Sequence, residues 1–441
     1  MQPVLRQHPR PIHLDGATPE EIAARLHTLP GFVFLDSSSR ELAPPPNHPS
    51  PSPRDSFSLI TARPEKIVRG HLDNPASLRQ YITHTSSQNT IDCGFPTGGA
   101  FGTVSFDGSF TFGIYPHVLA FHHPSGEWFE VGNMLSRNLA TAKSPHPKPF
   151  HPAQPLHFQF ETPQEVFIQA IMQAKEYIRA GDIYQVNLSH RAIASWPALA
   201  SPFDLYRTLR HVSPAPFSAF LQISKAQSIL SSSPELFLRL SGNAIRTCPI
   251  KGTRPRKHEP AGDEKSAYDL LTSPKEIAEL IMITDLERND LGQVCEFASV
   301  QASELLKLER FAQVFHLVST VDGTLRPEID HLDALKACFP GGSISGAPKK
   351  RALEIIQELE GTPRNLYTGA VGYLGTNGES QFNIAIRTLL INHPAKIAHF
   401  HVGAGIVADS IPEKEYKETL HKAAGILAAT KAWNQKYRPL A

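Results

Sequence analysis

Residues 233–254 read SPELFLRLSGNAIRTCPIKGTR, and their alternation governs how the rest of the chain is read. Residues 236–240 and 244–248 are two β-forming runs around Ser241-Gly242-Asn243, the pattern of an antiparallel hairpin. Pro249-Ile250-Lys251-Gly252-Thr253 follows, so a lysine stands between a short strand and a glycine turn. Lysines usually stay exposed, and a solvated turn residue is the bland reading of Lys251. Buried, the same amine would lose part of its charge and become a nucleophile near working pH.

Working outward, Ser273-Pro274-Lys275-Glu276 opens a helix with a reciprocal cap pattern, as do Thr162-Pro163-Gln164-Glu165 and Ser410-Ile411-Pro412-Glu413. In the helix after Ser273, Glu279 has Ile283 and Leu286 at i+4 and i+7, which puts a carboxylate on or beside an apolar stripe. A buried acid there needs a partner. The helix after Thr162 spaces Phe167, Ile171, Ala174 and Ile178 for burial and ends at Gly181; an alternating strand over 183–188 follows. Gln185 and Asn187 share one face of that strand, opposite Tyr184, Val186 and Leu188.

Glu415 and Glu418, three apart on the last helix, are neighbours whose repulsion a cation would relieve. Oxygen-only donors suit magnesium. Beside Lys414, Lys417 and Lys422, the same pair reads equally as a solvated helix face. The loop GGSISGAPK at 341–349 offers backbone N–H groups to an anion ahead of a helix over 349–360. It lacks the GK[ST] ending of a P-loop, so a carboxylate is as good a ligand as a phosphate, and tight turns alone would also account for its glycines. Residues 383–391 and 397–402 read as two apolar strands joined at Asn392-His393-Pro394, with Gly403-Ala404-Gly405 leading to the last helix.

The N-terminal part carries a capped helix from Thr18-Pro19-Glu20-Glu21 and a strand over 32–37. A proline-rich exposed loop is expected over 43–53, and glycine turns at 98–102 leading into a hairpin over 104–108. A second proline- and histidine-rich stretch, 144–155, marks a lobe boundary.

The 441 residues suffice for a large core without staples, and Cys93, Cys248, Cys295 and Cys338 form no CxxC pair, which points to reduced thiols and no zinc site. A net charge of +1 from 43 basic and 42 acidic residues leaves no electrostatic footprint for nucleic acid or an anionic membrane. Without an apolar run of membrane length or a signal-peptide h-region, a cytoplasmic protein acting on a small molecule or another protein is expected.

Taken together, GDIYQVNLSHR (181–191), SSSPELF (231–237), PIKGTRPR (249–256), ELIMITDLERNDLG (279–292), GGSISGAPK (341–349), YTGAVGY (367–373), NIAIRT (383–388) and GAGIVADSIPEKEYKET (403–419) resemble the chorismate-utilising enzymes. The resemblance is to the branch of aminodeoxychorismate synthase component I, also called para-aminobenzoate synthase component I, and runs from about residue 161 to the C-terminus. It implies an α+β fold of two lobes, antiparallel β-sheets packed face to face with helices outside. Residues 1–150 would form an N-terminal lobe like that of anthranilate synthase component I, matched chiefly through FLDSS and 98–108 and carrying a tryptophan pocket in related enzymes, and 157–435 the chorismate-binding region.

The resemblance also implies roles. Lys251 would attack C2 of chorismate with Glu235 as proton carrier. Mg2+ would sit on Glu279, Glu415 and Glu418, Tyr367 and Arg387 would hold the enolpyruvyl carboxylate, and Gln185, Thr253, His316, Ser345, Gly403 and Gly405 would line the pocket. Gln185 stands where water-adding members have a lysine, and Lys251 where anthranilate synthases typically have alanine, which implies amination at C4 and a product leading to para-aminobenzoate and folate. No cysteine sits in a glycine-rich elbow, so ammonia would come from a separate glutamine amidotransferase subunit. The alternatives are anthranilate synthase component I, aminating at C2, and a non-catalytic binding paralogue, which has no need of a nucleophile beside metal carboxylates.

Overall fold

The computed structural model describes residues 8–37, 57–82, 93–135, 155–197, 199–257, 259–311 and 314–436. The expected loop over 43–53, and all but the last residue of 144–155, lie outside them.

Strand residues bury both faces of each of two large antiparallel sheets, and the alternation shows why. In Phe32–Asp36, Val33 enters the layer between the sheets while Phe32 and Phe34 face helices. In Ala370–Gly375, Val371 and Tyr373 face inward and Ala370 and Leu374 outward. Such strands read as continuous apolar runs. One sheet has twelve strands among the described residues; its centre runs Phe32–Asp36, Phe217–Ser224, Gln227–Ser233, Thr388–Asn392, Ile397–Ile406, Gln185–Ser195. The other has ten, among them Ile250–Pro255, Val314–Thr324, Ala244–Cys248, Leu236–Ser241, Glu379–Ile384, Ala370–Gly375 and Gly99–Val104. Phe101, Tyr115, Leu221 and Tyr373 fill the space between them.

Helices cover the outer faces. Pro19–Leu26, Pro202–Val212 and Pro412–Lys436 pack on the first sheet over Phe34, Phe220 and Phe400. Pro274–Gly292 and His331–Cys338 pack on the second over Leu238 and Phe382. Full burial of each phenylalanine stabilises the fold by roughly 1.5–3 kcal/mol. Segments from before residue 150 and after residue 157 pair within both sheets: Leu35 opposes Ala219 in the first, and Phe101 opposes Tyr373 in the second.

Several expectations change. Residues 98–102 are not turns: Gly99–Val104 is a strand, Gly102 lets the neighbouring backbone approach, and the hairpin turns at 105–108. Residues 383–391 are not one strand, because the chain leaves the second sheet after Ile384 and joins the first at Thr388. Gly403 and Gly405 lie inside the strand Ile397–Ile406. The caps differ too. Thr18 and Glu21 form a full reciprocal box, Ser273 accepts from the Glu276 N–H at 3.5 Å, Gln164–Arg179 has no side-chain cap, and Ser410 gives its hydroxyl to Glu415. In the 341–349 loop, Gly342–Ser345 is a helical turn and Gly346–Ala347 pairs with Gln185 and Val186, so part of that backbone is already engaged.

Candidate active site

Two crossovers between the sheets meet at the site. At Ser233-Pro234-Glu235 the chain passes from Gln227–Ser233 in the first sheet to Leu236–Ser241 in the second, and at 385–387 it passes back. The crossovers are tied together: the Ile384 N–H donates to the Glu235 carbonyl at 3.1 Å, the Ser233 hydroxyl to the Ile384 carbonyl at 2.6 Å, and the Ser232 N–H to the Arg387 carbonyl at 3.1 Å. Arg387 turns there with φ 49°, a conformation uncommon outside glycine. Its guanidinium makes no hydrogen bond or ion pair among the described residues. Burial lowers its pKa, against the attraction of Glu235.

Lys251 is not in a turn. It lies on the strand Ile250–Pro255, opposite Leu317, and the register slips at Gly252, whose φ of 73° makes a bulge that glycine adopts without strain. Thr253 then opposes His316, and their side chains meet at 3.0 Å. Burial pushes the His316 imidazole down to about 4, leaving it neutral. Burial raises the Glu235 carboxyl, opposed first by the Ser343 hydroxyl and then by Lys251, and its Oε1 makes no hydrogen bond of normal geometry.

The floor is the strand Ile397–Ile406 against Gln185–Ser195, with Gly405 opposite Asn187 and Gly403 opposite Ser189. A Cβ on Gly405 would stand 3.0 Å from Gln185 Nε2 and 3.6 Å from Lys251 Nζ; one on Gly403 would stand 2.7 Å from Asn187 Oδ1 and 2.8 Å from the Tyr367 hydroxyl. Two glycines thus keep open a cradle between Gln185, Lys251, Asn187 and Tyr367. Both amide atoms of Gln185, and Asn187 Oδ1, are buried without hydrogen-bond partners. Unsatisfied groups of this kind are costly unless something pairs with them. Tyr367 stacks on His401 at 5.3 Å, and burial pushes both away from their charged forms, His401 to about 2.

Glu279 and Glu415 come from the helices Pro274–Gly292 and Pro412–Lys436, and Lys275 Nζ lies between them, 3.7 Å from Glu279 Oε1 and 3.3 Å from Glu415 Oε1. Burial raises the Glu279 carboxyl, with Lys251 and Lys275 pulling it down, and its Oε1 makes no hydrogen bond. Glu418 lies 2.7 Å from Lys422, whose Nζ also donates to the Gly403 carbonyl at 3.0 Å. Among the described residues no group of three acidic, histidine or cysteine side chains is gathered tightly enough to hold a metal ion. The three expected glutamates therefore share one region without converging on one point. Their chemistry still fits magnesium, an ion satisfied by one or two carboxylates with the rest of its shell from water and substrate, and Glu279 Oε1 is a buried oxygen lacking a donor.

Of the other expected residues, Ser345 is buried but gives its hydroxyl to the Gly341 carbonyl at 2.9 Å; the hydroxyl of that turn that faces Glu235 is Ser343. Missed altogether were Asn187 as a pocket group and Glu287 and Asp290, which continue the Glu279–Ile283 stripe into the interior. Glu287 accepts from Thr247 at 2.7 Å and burial pushes it up to about 8; Asp290 pairs with Lys349 at 2.6 Å. Also missed was Arg364, whose five N–H groups are all used, on Glu360, Thr368 and the carbonyls of Asn187 and Ile344. Their spacing from Glu279 could have flagged Glu287 and Asp290; nothing local signals Arg364.

Elsewhere between the sheets, a small cleft of about 40 Å³ is lined by Leu35, Asp36, Phe57, Phe217, Tyr373 and Asn383, among others. It lies at the FLDSS strand.

Comparison with known proteins agrees with this architecture. The chorismate binding enzyme family matches residues 79–428. The chain is similar to an anthranilate synthase component I-like protein of Synechocystis, 36% identical over 446 aligned residues, covering 94% of this chain and 90% of that one. It is also similar to aminodeoxychorismate synthase component 1 of Bacillus subtilis, 45% identical over 260 residues, 59% of this chain and 54% of that one. The chain spans 55–60% of the length of several other curated relatives. The solved structure of anthranilate synthase component I from Streptococcus pneumoniae superposes with a TM-score of 0.73 at 29% identity, over 95% of this chain and 99% of that one. The fold is that of anthranilate synthase component I structures. This chain belongs to the chorismate binding enzyme family. No described helix is long and apolar enough to cross a membrane.

Proposed function

We propose that the chain is a synthase subunit that converts chorismate and ammonia to 4-amino-4-deoxychorismate, a precursor of para-aminobenzoate and folate. The observation that carries this reading is Lys251, which makes no ion pair among the described residues and points its amine at the Gly405 cradle opposite Gln185. Arg387 and Tyr367 hold the enolpyruvyl carboxylate, the guanidinium through its forked donors. The Lys251 amine attacks C2, the ring double bond shifts, and the C4 hydroxyl leaves as water with a proton carried by Glu235, whose raised pKa suits an acid. Ammonia adds at C4, the double bond shifts back, and Lys251 departs from C2 as the amine. Gln185 cannot serve as a base for water, which favours ammonia as nucleophile. Magnesium would be held by Glu279 and Glu415, with Glu418 in the same region, and would neutralise and orient the ring carboxylate.

Ammonia comes from a separate glutamine amidotransferase. A second reading, anthranilate synthase component I with amination at C2, is favoured by the names of the Synechocystis and Streptococcus proteins. The two are separated by incubating the chain with chorismate, Mg2+ and ammonium. A product that releases para-aminobenzoate only when a pyruvate-eliminating lyase is added is expected; anthranilate formed directly would overturn C4 amination.

A further inference from the structure

Lys275 is the second residue of the helix Pro274–Gly292, after the Ser273 cap. The amide end of a helix repels a cation, and lysine four residues before glutamate is the weaker order for a helical pair. Local helix energetics therefore do not explain where its side chain goes. What holds the ammonium is the other helix: Glu415 Oε1 at 3.3 Å, an oxygen that also accepts from Ser410 at 2.8 Å. Glu279 Oε1, which makes no hydrogen bond, has Lys275 as its ion-pair partner at 3.7 Å. The remaining carboxylate, Glu418, is held by Lys422, and nearby Glu276 is paired with Arg254 at 3.3 Å. Every acid facing this corner is thus offset by a basic side chain from the chain itself.

We propose that Lys275 is the internal counter-cation of the carboxylate cluster, a side chain that a divalent ion displaces to reach Glu279 and Glu415, so that it sets the metal affinity of the site. The inference rests on the magnesium reading above. A dication and an ammonium compete for the same two oxygens, and the side chain, 49% exposed, has solvent to swing into. Removing its charge leaves Glu279 and Glu415 facing each other with less compensation, which favours uptake of a divalent ion and destabilises the metal-free chain.

The test is a titration of the full chain with Mn2+, counting free ion by electron paramagnetic resonance, with Mg2+ as competitor. Lys275→Met keeps the unbranched stem and removes the charge; Lys275→Arg keeps the charge. The methionine variant is expected to bind Mn2+ about fivefold more tightly than the parent, the scale of a partly exposed charge pair near 1 kcal/mol, and the arginine variant to stay close to the parent. Without metal, Lys275→Met should melt below the parent, and saturating Mg2+ should close that gap. Unchanged or weaker Mn2+ affinity in Lys275→Met, with the parent binding normally, overturns this inference alone. No Mg2+-displaceable Mn2+ on either protein overturns the magnesium reading and this inference with it.

Discussion

Two openings lie between the same pair of sheets, and they treat their polar groups in opposite ways. In the cleft at the FLDSS strand, Asp36 accepts from Ser58 at 3.0 Å and from Arg210 at 2.8 Å, and Asn383 donates to the Phe217 carbonyl and accepts from the Val371 N–H. In the cradle over Gly403 and Gly405, Gln185 and Asn187 keep buried atoms without partners. Side chains in the first serve the fold, and those in the second are left for something the fold does not contain. Unpaired polar atoms, more than cavity volume, mark where chemistry is to be sought.

That contrast is open to direct attack. Asp36→Asn breaks a buried charged pair and is expected to cost about 3–5 kcal/mol of stability while leaving the chorismate KM of the folded fraction unchanged. Denaturant melts and steady-state kinetics check this, and a raised KM would tie the two openings together. Arg387→Met should do the reverse: stability near the parent and chorismate KM raised roughly 10- to 100-fold, the loss of a charge-assisted pair of about 1.5–3 kcal/mol. A large loss of stability instead would place Arg387 with Asp36.

A third effect, read against pH, comes from Glu287, which is buried, hydrogen-bonded to Thr247 and near enough to Glu235 for the two carboxyls to repel. Its carboxyl is raised to about 8 from 4.5, so between those values the folded chain holds a proton that the unfolded chain has released. Stability is therefore fully present below the lower value and is lost as pH rises toward the upper, by up to about 1.4 kcal/mol per pH unit. Glu287→Gln should flatten that slope in melts at pH 5, 6.5 and 8. A parent chain whose stability rises over the same window would contradict the assignment.

How legible this was in the sequence depended on how local each signal is. The hairpin around Gly242 could be read because its turn and both strands lie within a dozen residues, and Phe32–Asp36 because its residues favour strands. The run after Asn383 could not be divided: Phe382, Ile384, Leu389 and Leu390 are buried on whichever sheet they join, and what marks the change of sheet is the left-handed backbone at Arg387, which the residue type does not announce. Glycines misled where they permit close approach instead of turning, at Gly102, Gly403 and Gly405. The motifs pointed to Lys251, Glu235, Tyr367 and Arg387, but the pairing of Lys275 with Glu415 joins residues 140 apart in the chain, and sequence spacing carries no trace of it.

The central claim is that the Lys251 amine forms a bond to the substrate ring. Intact-protein and peptide mass spectrometry after mixing with chorismate and Mg2+, without ammonium, tests it most directly. The account predicts an adduct of chorismate less one water on the peptide carrying Lys251, discharged on adding ammonium and absent from Lys251→Ala, whose turnover falls by about 10⁴-fold or more. A Lys251→Ala enzyme that still makes aminodeoxychorismate from ammonium at the parent rate would contradict it.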